Sequence, residues 1–156
     1  MKISGIFFYS IMEFDNNGHL FLYGIITHSI SEFDLNFGYN SIRQSLLNEF
    51  FVQMDKLKII LNDEFTVWIN GSFVTQKVNP NDIDIVVFLN YKHLGSKEIL
   101  LSSFKEKQEY VDLYYVKVFP ENHENFELAQ FDYLHWFHFF TNTRKNKKKG
   151  FIQLKF

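Results

Sequence analysis

Phe65-Thr66-Val67-Trp68-Ile69-Asn70-Gly71-Ser72, then a nine-residue spacer, then Asp82-Ile83-Asp84-Ile85-Val86-Val87-Phe88 is the stretch that decides the fold. The first apolar run reads as a strand ending in a Gly-Ser turn. The second reads as a buried strand that opens on two carboxylates. Side chains alternate across a strand, so Asp82 and Asp84 leave one face with Cα atoms about 7 Å apart. At that spacing both reach one or two shared divalent cations. A Gly-Ser turn with free backbone N–H groups beside paired carboxylates suits a metal–triphosphate, which makes this segment the expected active site.

The remaining chain fits one domain. Its 156 residues can bury a real core but not two full domains. A composition of 46% hydrophobic and 22% charged residues is ordinary for a globular protein. The 20 Phe and single Ala read as the bias of an AT-rich genome rather than as chemistry. The absence of Cys excludes disulfides and thiolate metal sites and fits a reducing cytoplasm. A net charge of −2 supplies no global field for nucleic acid. No apolar run reaches the roughly 18–20 residues that span a bilayer, so no membrane partner is expected. Residues 1–11 superficially suggest a signal peptide, but Glu13 and Asp15 follow at once and no small-x-small cleavage site appears. They are read as a leader or a start-site overrun, with Met12 a candidate start.

Outward from the motif, Asp15-Asn16-Asn17-Gly18 is a turn and residues 19–30 read as mostly extended, with a short helix from Ser31. Ser41 to Leu61 is the clearest helix, because Ile42, Leu46, Phe50, Met54, Leu57 and Leu61 recur at helical spacing. A second helix is expected from Ser96 to about Gln108, and a third strand from Tyr110 to Phe119. An aromatic helix from Asn125 to about Phe140 and a last strand from Gly150 to Phe156 follow. The pattern predicts an α+β domain over 1–156, one mixed sheet backed by helices.

The third strand carries Asp112 within Val111-Asp112-Leu113-Tyr114-Tyr115-Val116. A buried charge there costs several kcal/mol unless paired or metal-bound; a solvent-facing strand-end Asp is the plain alternative. If the strand lies beside Ile83–Leu89, Asp112 faces Asp82 and Asp84 and completes a cradle of three carboxylates. One Mg²⁺ would then bind the triphosphate while a second lowers the pKa of an attacking hydroxyl; Mn²⁺ is an alternative ion. An EF-hand reading fails, since Val86 takes the next ligand position and no Gly or Glu follows at loop spacing.

In this order the residues resemble the minimal nucleotidyltransferases of the DNA-polymerase-β superfamily. More narrowly, Gly71-Ser72-Phe73-Val74-Thr75-Gln76-Lys77 with Pro80-Asn81-Asp82-Ile83-Asp84 is similar to a bacterial and phage subgroup with a Gly-Ser-Phe-Val-Thr-x-Lys…Pro-x-Asp-Ile-Asp signature. Weaker matches at Gly18-His19-Leu20, Glu32-Phe33, Phe37-Gly38, Arg43 and Lys149-Gly150-Phe151-Ile152 extend the resemblance over residues 15–156. It implies a nucleotidyltransferase-like sheet and transfer of NMP from an NTP to a hydroxyl of an RNA or tRNA 3′ end, or of a protein. It also points to a toxin–antitoxin or phage-defence component with a cognate toxin or antitoxin. One departure stands out: the broader family places an arginine just after Gly-Ser, and Phe73-Val74-Thr75 has none. The other reading is a catalytically inactive nucleotidyltransferase-like binding module or antitoxin.

Around this centre, Gly71 and Ser72 are the expected phosphate donors, and Lys77 is within reach of the phosphates. The run Arg144-Lys145-Asn146-Lys147-Lys148-Lys149 is either a solvated loop or a phosphate or RNA contact, with Arg144 and Lys149 the better candidates. Arg43 is expected to pair with a nearby acid. His135 and His138 share a helix face and are read as packing residues with polar tips rather than metal ligands.

Overall fold

The computed structural model describes residues 12–156, so the reading of residues 1–11 lies outside the described residues. The elements run β1 (Ile25–Thr27), α1 (Ile30–Phe37), α2 (Ser41–Leu61), β2 (Thr66–Asn70), β3 (Ile83–Asn90), α3 (Tyr91–Ser96), α4 (Glu98–Glu106), β4 (Val111–Val118), α5 (Phe126–Phe140) and β5 (Phe151–Lys155). The strands form one five-stranded mixed sheet in the order β1-β5-β2-β3-β4. β2 is antiparallel to β3 and β5, whereas β1 runs parallel to β5 and β3 parallel to β4. The domain is α+β.

The first three helices start where a side chain takes an orphan N–H. Ser29 and Glu32 form a capping box at α1, and the Asn40 side chain accepts from the Arg43 N–H at α2. Asn62 ends α2 in the left-handed region at φ 51. Three expectations are corrected. The stretch 19–30 is extended only over Ile25–Thr27 and turns helical at Ile30. The helix expected from Ser96 to about Gln108 is α4, and an unexpected short helix, α3, precedes it, the two separated at Lys97, whose φ of −124 breaks the helical run. β4 is shorter than Tyr110–Phe119 by one residue at each end.

The sheet is covered unequally. Val67, Ile69, Ile83, Ile85, Val87, Leu113 and Ile152 face α1, α2 and α4, meeting Phe33, Phe37, Phe50, Met54 and Leu57 in the main core. The alternate residues Trp68, Val86, Phe88, Val116 and Phe151 face α5 and pack on Phe140 in a smaller aromatic core. Among the described residues this second face is covered by α5. No helix among the described residues is long and apolar enough to cross a membrane.

Candidate active site

Asp84 belongs to that second face, in register with Asn70 on one side and Asp112 on the other. Adjacent strands are about 4.8 Å apart, so parallel pairing brings the two aspartates together without any loop. Asp82 lies just before β3, two residues from Asp84 and on the same side. Gly71 follows Asn70 with φ 71 and ψ −162, a conformation suited to glycine. A Cβ there would fall on the Asp84 carboxylate, so glycine is also required for space. Ser72–Val74 then make a short 3₁₀ turn that buries Phe73 and Val74.

Arg43 holds this turn from the core side. It is fully buried, yet no carboxylate among the described residues meets it. Its Nη1 donates to the Phe73 carbonyl at 2.7 Å and the Phe37 carbonyl at 3.2 Å. Nη2 donates to the carbonyls of Thr75 at 2.8 Å and Lys77 at 2.6 Å, and Nε again to Lys77 at 3.2 Å. The guanidinium lies over the rings of Tyr39 and Phe73 at 4.6 and 4.8 Å. The expected acid partner is therefore replaced by four backbone carbonyls. Sequence reading missed this role because the carbonyls on the turn lie 30 or more residues downstream.

A cleft of about 940 Å³ opens above the carboxylates, and Gly71, Ser72, Lys77, Asp82, Asp84, Asp112, Arg144 and Lys149 all line it. Asp84 is half-buried, while Asp82 and Asp112 are exposed. Asp112 is therefore not a buried charge but a solvent-facing one, as in the plain alternative, and its place beside Asp84 comes from strand register. Burial raises the Asp84 pKa above the ordinary carboxylate value, the charges of Asp82 and Asp112 raise it further, and Lys149 opposes them. Burial likewise lowers the Lys149 pKa, with Asp84 pulling it back up. The ion pairs among the described residues are His19–Asp15 and His93–Asp63, so no salt bridge neutralises the three carboxylates.

The model matching the family of unknown function DUF6932 covers residues 12–155. The chain belongs to that family. No curated protein and no solved structure matches it.

Lys149 owes its place in this DUF6932 chain to a tight turn in the basic run. Asn142 bridges to Lys148, the Thr143 N–H donates to the Lys147 carbonyl at 2.8 Å, and Asn146 adopts φ 55. The Lys149 N–H donates to the Thr141 carbonyl, which leaves its side chain half-buried at the cleft. Lys147 instead donates to Asn17 Oδ1 at 2.9 Å, away from the carboxylates. His135 and His138 are exposed on α5, contrary to the packing role expected of them, and His138 reaches the cleft rim.

The donor set can be tested against a metal. Carboxylate oxygens are hard ligands of the type Mg²⁺ takes, and the buried Asn70 Oδ1 at the cleft has no hydrogen-bond partner among the described residues. Those groups fit a hard cation chemically. No group of three His, Asp or Glu side chains able to hold a metal ion is gathered among the described residues. A smaller cavity of about 480 Å³ at the far end of β2 and β3 has Asp63, Glu64 and Lys92 on its walls, all exposed.

Proposed function

We propose that the chain is a metal-dependent nucleotidyltransferase that moves NMP from an NTP to an acceptor hydroxyl, and that it works in the cytoplasm. The observation that carries this reading is Asp84. It is a desolvated carboxylate flanked by two more, facing a glycine turn, in a cleft with a half-buried lysine. Mg²⁺ held by Asp82, Asp84 and Asp112 would neutralise phosphate charge and make the acceptor hydroxyl easier to deprotonate.

The chain's own residues supply the remainder. Gly71 and Ser72 present backbone and hydroxyl donors to the phosphates, and Lys77, Arg144 and Lys149 offset their negative charge. Arg43 fixes the turn from below. The acceptor oxygen attacks the α-phosphorus, the bond from that phosphorus to the bridging oxygen breaks, pyrophosphate leaves, and the hydroxyl proton passes to solvent.

The test is incubation with each α-labelled NTP, Mg²⁺ and total RNA or cell lysate, followed by a gel. Label on a macromolecule, lost in Asp84→Asn, supports transfer. Mg²⁺-dependent NTP binding without any labelled product would instead favour a catalytically inactive binding module or the antitoxin of a cognate pair.

A further inference from the structure

The cleft has two unlike sides. Gly71, Ser72 and Lys149 occupy the side towards β2 and β5, where a triphosphate would sit. On the β4 side the wall is aromatic: Tyr114, two residues beyond Asp112 on the same face, meets Trp136 of α5 at 4.9 Å between ring centroids. Phe139 stands against Trp136 at 5.8 Å, edge to face. These rings line the cleft and are not fully packed away: Tyr114 is 40% exposed and Phe139 60%.

Cations flank the same wall. The Lys105 ammonium lies 4.7 Å above the Tyr114 ring, and Arg144 lines the same cleft. The wall also continues out of the cleft. Phe131, His135 and Phe139 are spaced four residues apart on α5 and all are exposed, which makes a stripe about 12 Å long. One nucleobase needs only one ring. A stripe of that length, leading out of a cleft that holds cations, suits successive stacked bases of an unpaired strand.

Resting on the nucleotidyl-transfer reading, we infer that the acceptor is the unpaired 3′ end of a nucleic acid, its terminal bases stacked on Trp136, Phe139 and Phe131 and its hydroxyl delivered beside Asp112. A protein acceptor would have no need of an aromatic track bordered by lysine and arginine. RNA and DNA share the recognising chemistry, so the experiment carries an arm for each.

Fluorescein-labelled oligonucleotides of about six nucleotides, as single-stranded RNA, single-stranded DNA and blunt duplex, are titrated with the whole chain and followed by anisotropy and tryptophan emission. Trp68 is 1% exposed, so quenching on binding reports Trp136. Single strands are expected to bind more tightly than duplex and to quench the emission. Phe139→Ala and Phe131→Ala are each expected to weaken single-strand binding about tenfold. Both side chains are exposed, so an unchanged unfolding midpoint serves as the folding control.

Unchanged single-strand affinity in both variants, duplex binding as tight as single-strand binding, or transfer of label to protein would each overturn the inference. A parallel Mg²⁺–NTP thermal shift on the unmodified chain separates the two claims. If that shift appears without single-strand binding, transfer stands and the acceptor assignment falls. If single strands bind and quench but no NTP shift appears, the transfer reading falls and the stacking surface remains.

Discussion

Arg43 lies beneath the Gly71–Lys77 loop and Asp84 lies beside it facing the cleft, and the two charges are furnished in opposite ways. Arg43 donates five hydrogen bonds to four carbonyls and has an aromatic ring against each of two sides. Burial lowers its pKa, yet a guanidinium stays protonated in proteins. Asp84 has no cationic partner in salt-bridge contact among the described residues, and the charges acting on it include two of its own sign. A buried charge whose every donor is used is scaffolding. A half-buried charge kept beside like charges, at a cost in stability, is one that a ligand is expected to complete.

The sharpest way to break that contrast is to neutralise both. Asp84→Asn should lower the transfer rate by about three orders of magnitude, the scale of several kcal/mol of charge stabilisation. It should leave the unfolding midpoint unchanged or raised at pH 7. The sign follows from the raised folded-state pKa: above the ordinary carboxylate range the folded chain holds a proton that the unfolded chain has released. Stability therefore falls as pH rises through the raised value, and the Asn variant should lose that fall. Full activity in the variant, or a lowered midpoint, would place Asp84 among the structural charges. Arg43→Leu should act the other way, costing about 4 kcal/mol in denaturant unfolding because four carbonyls lose their donors. A loss below about 1 kcal/mol would mean that the loop does not depend on it.

The carboxylates and the Gly-Ser turn were legible because their signal is local: a strand, a glycine and a two-residue alternation are all written within 24 consecutive positions, 65 to 88. The helix Ser41–Leu61 was legible for the same reason, its apolar spacing and asparagine caps lying in one run. Strand order was not. Nothing local says that β5 inserts between β1 and β2, or that Asp112 falls in register with Asp84. The α3–α4 break was hidden too. Tyr91-Lys92-His93-Leu94-Gly95-Ser96 has no helical apolar stripe, and the short α3 draws on tertiary contacts such as Tyr91 stacked on Phe119 at 4.7 Å. Arg43 looked like any helix-opening arginine, and its role depends on a loop 30 residues away.

A smaller test concerns Lys149, which lies between the two extremes: half-buried, attracted by Asp84, and without a salt-bridge partner among the described residues. If it faces the phosphates, Lys149→Met should weaken Mg²⁺–NTP binding about tenfold by calorimetry. Arg144→Gln, at an exposed site, should do less. Equal and negligible effects would make the whole basic run a solvated turn.

The smallest expected effect is the control that shows whether a missing partner alone signifies function. His28 is 6% exposed, packs on Phe37 at 6.4 Å, and neither ring nitrogen has a partner among the described residues, yet it is not among the residues lining the cleft. Burial lowers its pKa from 6.5, with the Glu32 carboxylate pulling it back up. The folded chain therefore keeps His28 neutral while the unfolded chain takes up a proton as pH drops below 6.5. Its contribution is a stability present above that pH and lost as pH falls towards the lowered value, at no more than about 1.4 kcal/mol per pH unit. His28→Leu should flatten this part of the stability curve and leave nucleotide binding unchanged. An unaltered pH slope would mean that the ring is protonated or solvated in the folded chain. A change in nucleotide binding would mean that the division between structural and functional charges does not hold for this fold.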